Sequence, residues 1–157
     1  DWQFVLSALQ AEQERSGYDG PFRAGMMVEI PSALFSMERM QNSVDFFSLG
    51  TNDLLRYVIG KSRSQPAPDD LYEPAFYRLL FHGMRRIKRE VSICGMMGAR
   101  VEFLPLFLEL GVTNFSVPLG AYETVRQRLM SIDPQQRMLR ALLRMQSRAE
   151  IREALQS

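Results

Sequence analysis

Short apolar runs closed by glycine or proline alternate along this chain with longer stretches whose apolar residues recur every third or fourth position. The first such stretch, residues 2–16, sets Trp2, Val5, Leu6 and Leu9 at helical spacing and stops at Gly17, which predicts a helix. A turn-rich link follows, and residues 24–30 then read as a strand closed by Pro31. Residues 32–41 read as a helix with Leu34, Phe35, Met37 and Met40 facing inward. Residues 44–49, short, rich in Phe and closed by Gly50, suit a buried strand, and a helix follows from about Leu54. Residues 61–70 hold two prolines among polar residues and read as a loop, a setting that often carries function.

The same alternation continues to the end. Residues 72–88 predict a helix started near Pro74, with Phe76, Leu79, Leu80, Met84 and Ile87 as its apolar face. Residues 91–95 and 113–117 predict the third and fourth strands, and residues 101–110 and 120–130 the helices after them. Residues 1–131 thus form one unit of repeated strand and helix. Residues 132–157 form a C-terminal tail of two short helices, 134–145 and 147–155, whose Arg, Gln and Glu content predicts an exposed end.

Alternating strands and helices imply an α/β fold: a parallel sheet with helices packed on it and all strand ends on one rim. Four such units make either a small open sheet or half of an eight-fold barrel. Parallel α/β folds put their chemistry at that rim. Here it would carry Glu29, then Asn52 and Asp53, then Cys94, then Ser116 or Pro118. Asn52 or Asp53 could instead cap the helix that follows, and Glu29 could be held in an ion pair with an arginine. As chemistry, two carboxylates on adjacent strand ends with no histidine nearby make a hard oxygen site suited to Mg²⁺ or Mn²⁺.

Composition narrows the classes. The 157 residues are 46% hydrophobic and 24% charged, an ordinary globular balance with material for a core. A net charge of +1 gives no argument for nucleic acid or an anionic membrane surface. The one dense basic group, Arg85, Arg86, Lys88 and Arg89, reads as a solvated helix face. A single cysteine permits no internal disulfide and suits a reducing cytoplasm. No stretch approaches the roughly 20 apolar residues of a membrane span. The first residues lack the basic start of a signal peptide. The chain begins without Met, so a piece of something longer is expected.

Three motifs stand in order at familiar spacing: Gly25-Met-Met-Val-Glu-Ile-Pro31, Val44-Asp-Phe-Phe-Ser-Leu-Gly-Thr-Asn-Asp-Leu54 and Ile93-Cys-Gly95. From about Ala24 to about Leu129 the chain resembles the C-terminal half of the phosphoenolpyruvate (PEP)-binding (β/α)8 barrel of PEP-utilising enzymes. That family includes enzyme I of the sugar and nitrogen phosphotransferase systems, pyruvate phosphate dikinase and PEP synthase. The phenylalanines before Ser48 and the Leu71-Tyr72-Glu73-Pro74 segment bring it nearest to enzyme I.

The resemblance implies roles residue by residue. Glu29 and Asp53 match carboxylates that hold Mg²⁺, and Asn52 matches the amide that touches the PEP phosphate. Arg63 matches a PEP-binding arginine. Cys94 matches the cysteine that protonates the enolate carbon as pyruvate forms, and a thiol still protonated at neutral pH can donate that proton. The implied function is part of a PEP–protein phosphotransferase that passes the phosphoryl group to a protein histidine. The implied partners are PEP and pyruvate, an HPr-like phosphocarrier protein reached through N-terminal domains not present here, and a second copy in a homodimer. His82, mid-helix, reads as structural. The alternatives are a dikinase or PEP-synthase reaction, a Mg²⁺-dependent lyase on the related barrel, and a non-catalytic PEP-sensing module.

This chain also departs from the family pattern. After Cys94-Gly95 the family carries a Glu and then an Asp where Met96 and Arg100 stand, and Ser64 replaces the usual Gly or Asn. Were Met96 and Arg100 to face the site, the added positive character would favour an ionised thiol, a poorer acid. The first half of the barrel, with further phosphate-clamping arginines, is absent from these residues. The chain alone is therefore expected to bind PEP weakly and turn nothing over. Two open sheet edges should make it pair with the missing half, self-associate or be poorly stable.

Overall fold

The computed structural model describes residues 2–62, 67–133, 135 and 137–156. Four parallel strands form one sheet in the order β1-β2-β3-β4: Gly25–Val28, Phe46–Gly50, Glu90–Cys94 and Asn114–Phe115. The helices are α1 (Trp2–Ser16), α2 (Pro31–Met40), α3 (Thr51–Ile59), α4 (Pro74–Met84), α5 (Leu104–Glu109), α6 (Leu119–Ser131), α7 (Leu139–Leu142) and α8 (Arg148–Gln156). Short 3-10 turns at Pro68–Tyr72, Met96–Ala99 and Val101–Phe103 join them. Sequential parallel strands with helical crossovers are the architecture of part of a (β/α) barrel, as the alternation predicts.

Side-chain alternation divides the sheet into two unlike faces. Val28, Phe47, Leu49, Val91 and Ile93 are fully or nearly buried on the helix side, against Leu34 and Met37 of α2 and Phe76 and Leu80 of α4 among others. The opposite face carries Met27, Phe46, Ser48, Glu90, Ser92 and Cys94, and none of these is buried. A strand with only one face in the core is half polar by necessity, which is why Ser48 and Ser92 interrupt the apolar runs.

Two expectations are corrected. Phe35 is 57% exposed, because the face of α2 that meets the sheet runs through Leu34 and Met37 and Phe35 falls about 100° away around the helix. The tail is docked, not exposed. Leu139, Leu142, Ile151 and Leu155 join the main core. Arg78 of α4 donates to the carbonyls of Leu143 and Met145 at 3.2 and 2.5 Å. Arg148 of α8 bridges Asp70 and Glu73 at 2.9 and 2.8 Å. Arg148 and Arg152 lay partly covered stems on the body and pair with its acids Asp69, Asp70 and Glu73. Among the described residues no helix is long and apolar enough to cross a membrane.

Ile151→Ala is therefore expected to destabilise the protein by about 2–5 kcal/mol, while Phe35→Ala costs under ~1 kcal/mol, measured by denaturant unfolding. Acid should also loosen the tail. Burial works to raise the Asp70 carboxyl. The Lys61 and Ala67 hydrogen bonds and the charges of Lys61 and Arg148 outweigh it, holding the group below its ordinary value of 3.8. A depressed carboxyl stabilises the fold above its unfolded value, and that stability is lost as pH falls through the folded value. Unfolding should therefore become easier below about pH 4, and Asp70→Asn should flatten that slope.

Candidate active site

Gly50 is the pivot of the rim. Val28 pairs with Leu49 and Gly50 with Cys94, so the parallel register sets Glu29, Gly50 and Cys94 side by side toward the open face. A Cβ at Gly50 would stand 2.6 Å from Cγ and 2.9 Å from Oε1 of Glu29. The Glu29 side chain thus lies across bare glycine, in a cradle that any other residue would fill. Among the described residues Glu29 has no ion-pair partner, so the arginine considered for it from the sequence is not found there. The Cys94 thiol is half-buried; its S–H donates to the Leu49 carbonyl at 3.4 Å and its sulfur accepts from Ser48 Oγ at 3.7 Å.

Helix α3 begins directly at this rim. Gly50 is its N-cap residue with no side-chain cap, so Asn52 and Asp53 lie inside the first turn and neither serves as the cap. The buried Thr51 donates its hydroxyl to the Cys94 carbonyl at 2.8 Å, stitching the helix start to β3. Asn52 Oδ1 accepts the Met96 N–H at 3.0 Å, which leaves the amide NH₂ to donate to another group. Gly95 makes this possible. It sits at φ +100°, and a Cβ there would come within 2.8 Å of both Asn52 Oδ1 and Thr51 Oγ1. Asp53, its side chain 16% exposed, meets Arg56 at 2.7 Å. Arg56 lies 4.7 Å over the Tyr57 ring, and its Nε is buried without a hydrogen-bond partner.

Asn52 and Asp53 line a cleft of about 520 Å³ with Arg56, Lys61, Met96 and Arg100. Met96 and Arg100 thus stand in the wall of the same cleft as Asn52 and Asp53. Arg100 does not add bare charge, because Glu102 holds it at 2.6 Å. Burial pulls the Arg100 guanidinium pKa down, but the Glu102 hydrogen bond and charge outweigh this and keep it raised. Lys61 is likewise paired, with Asp70 at 2.8 Å. Each of these cleft cations thus has an acid beside it. Ser116 and Pro118, at the end of β4, are exposed and wall an adjoining hollow with Asn52 and Met96. Glu29 and Cys94 lie on the open face and not in the cleft lining; Thr51 and Asn52 connect the two groups. Arg63 lies outside the described residues. His82 is exposed on α4, its ring edge-on to Phe81 at 5.4 Å.

The donor set suits a partly hydrated Mg²⁺ and not a closed metal cage. Among the described residues no three acid, His or Cys side chains converge as a closed cation site. Mg²⁺ does not require one, since it keeps several waters and binds through one or two carboxylates plus substrate phosphate oxygens. Glu29 in its glycine cradle fits that pattern, and Asp53 fits it once Arg56 yields the carboxylate. Sequence reasoning did not assign Arg56 to the site, although an Asp–Arg pair at i, i+3 on a helix is a readable signal.

Comparison with known proteins gives a consistent result. Residues 4–134 match the family described as PEP-utilising enzyme, PEP-binding domain. The chain is 32% identical over 139 residues to the phosphoenolpyruvate-protein phosphotransferase of Chlamydia trachomatis serovar D, covering 83% of this chain and 24% of that protein. It is 36% identical over 137 residues to the protein of the same name from Chlamydia pneumoniae, covering 83% and 22%. It is 29% identical over 130 residues to multiphosphoryl transfer protein 2 of Escherichia coli K12, covering 79% and 16%. The chain thus spans about a quarter or less of the length of these curated relatives.

The two rim glycines should respond differently to substitution. Gly95→Ala forces a side chain into the left-handed region against backbone-anchored Asn52 and is expected to cost about 1–3 kcal/mol. Gly50→Ala displaces only the flexible Glu29 side chain and should cost less than ~1 kcal/mol. Chemical denaturation of the two variants would show the difference.

Proposed function

The chain belongs to the PEP-utilising enzyme, PEP-binding domain family, and from that premise we propose that it is part of a PEP–protein phosphotransferase of the enzyme I type. Its substrate is PEP, its phosphoryl acceptor a protein histidine on an HPr-like phosphocarrier route, and its product pyruvate. The protein works as a homodimer in the cytoplasm, with the remaining phosphate-binding groups supplied by chain outside these residues. The observation that best supports this reading is the rim itself. Glu29 and Cys94 flank Gly50, and Asn52 is held beside them by the Met96 N–H.

Mg²⁺ held by Glu29 and Asp53 would offset the negative charge of PEP and of the oxygen left behind when the phosphoryl group departs. The protein's own residues do the rest. Asn52, its carbonyl end already engaged, presents NH₂ to a phosphate oxygen. Arg63 contributes a cation to the same phosphate. Loss of the phosphoryl group leaves the enolate of pyruvate, whose methylene carbon must gain a proton. Cys94 carries that proton on sulfur, directed at present to the Leu49 carbonyl, and rotation of its S–H delivers it. Ser48, within 3.7 Å of the sulfur, can donate to the thiolate that results.

A second reading, a non-catalytic PEP-responsive module, draws on one observation. Arg56 already occupies the Asp53 carboxylate that a metal would need. Calorimetric titration of the full-length protein with PEP separates the two. Binding that needs Mg²⁺ and weakens at least about tenfold in Asp53→Ala is expected. Cys94→Ala should retain that binding but stop pyruvate release. Pyruvate release unaffected by Cys94→Ala would exclude the proposed proton donor. Failure of the full-length protein to bind PEP with Mg²⁺ would overturn the functional reading.

A further inference from the structure

Asp70 is a carboxylate only 3% exposed, one of two buried polar residues among those described. Burying an ion is costly unless it is fully paired, and an apolar residue of similar size would fill the same space at no electrostatic cost. Asp70 is paired from two directions. From the cleft side, Lys61 Nζ reaches its two oxygens at 2.8 and 2.9 Å, and the Ala67 N–H donates at 2.9 Å. From the C-terminal helix, Arg148 Nη1 donates at 2.9 Å, while its Nε and Nη2 bond Glu73 at 3.0 and 2.8 Å. Lys61, Ala67 and Asp70 all line the cleft that holds Asn52 and Asp53. One guanidinium therefore ties α8 to the wall of the candidate site, across 78 residues of sequence.

We propose that Arg148 is a positioning residue for this cleft: through Asp70 it fixes Lys61 and Ala67, and so links docking of the C-terminal helix to affinity for the anionic ligand. The identity of that ligand as PEP rests on the functional reading above. The physical basis is competition for one carboxylate. With Arg148 in place, Asp70 is shared between a cleft cation and a tail cation, and Lys61 is held at a fixed point. Without it, the Lys61 ammonium and the Ala67 amide must satisfy a buried charge between them, and the cleft wall moves with it. Linkage is reciprocal, so a ligand that favours the ordered wall must also favour the docked helix. Among the described residues, the second arginine of α8 goes to Asp69 and not to Asp70. Arg152 pairs with Asp69 and lies 5.1 Å over the Tyr72 ring.

Amide hydrogen exchange and PEP titration of the full-length protein test this together. In Arg148→Gln the amides of Ala67 and Asp70 should exchange at least about tenfold faster, while those of β2 and β3 keep their protection. PEP affinity should fall at least about fivefold. Arg152→Gln, which cuts a docking contact of α8 without touching Asp70, should leave both readouts within about twofold. Arg148→Lys keeps one charge near Asp70 but cannot bridge Glu73 as well, so it should give intermediate values. It also serves as the test if Arg148→Gln loses protection throughout. In the unaltered protein, saturating PEP should slow exchange across α8. Unchanged Ala67 exchange in a folded Arg148 variant, or faster exchange with unchanged PEP affinity, would overturn the proposal. Equal effects from Arg152→Gln would reduce Arg148 to a general docking contact and overturn it too. If the unaltered protein binds no PEP, the functional reading fails, and Ala67 exchange alone decides whether Arg148 positions the cleft wall.

Discussion

Everything at the rim depends on one missing side chain. Parallel pairing fixes Glu29, Gly50 and Cys94 in a row, and a Cβ on the middle residue would occupy the space of the Glu29 carboxylate arm. Because Gly50 has none, Glu29 can lie flat over β2, and helix α3 begins on the next residue with no side-chain cap. The immediate start of α3 in turn sets Thr51 against the Cys94 carbonyl and Asn52 against the Met96 amide. Three strand ends and one helix are thereby locked by two hydrogen bonds and a glycine. The usual helix cap has been given up for that, and the first-turn acid Asp53 complements the helix dipole in its place.

Much of this was legible in the chain. Strand runs ending in Gly50 and Gly95 fixed which residues reach the rim, and alternation of apolar and small polar residues in β2 and β3 marked which face is in the core. Two kinds of information were not legible. A helix buries an arc, and apolar character alone does not say where the arc is centred, so Phe35 was assigned to the core beside Leu34. Long-range pairing is invisible as well. The arginines of the tail look like those of any solvated helix until Asp69, Asp70 and Glu73 are found opposite Arg148 and Arg152. The apolar spacing of Leu139, Leu142, Ile151 and Leu155 was the available hint that these helices dock.

The cleft shows a further constraint that residue identity does not reveal. A site for an anionic ligand is expected to expose cations, yet Arg56, Lys61 and Arg100 are each paired with an acid. Unpaired, these charges would repel one another across a small cleft and leave costly partly buried cations. Paired, they offset one another's charge within the cleft, and an incoming anion would have to compete with Asp53, Asp70 or Glu102.

These pairs differ in how readily they can yield. Asp53 and Arg56 are neighbours on one helix, and rotation of either side chain separates them without moving backbone. Arg100 and Glu102 are likewise close in sequence and partly solvated. Asp70 is different: its carboxylate is buried, three donors make four hydrogen bonds to it, and two of those donors, Lys61 and Arg148, lie far apart in the chain. Changing that site requires the 67–72 turn or α8 to move. The cleft therefore combines adaptable pairs on α3 and in the turns after β3 with a rigid one at its outer wall, and the rigid one is held by the C-terminal helix. A wall fixed from outside while the inner charges can rearrange would let a small charged ligand, as proposed, be exchanged without loosening the core beneath it.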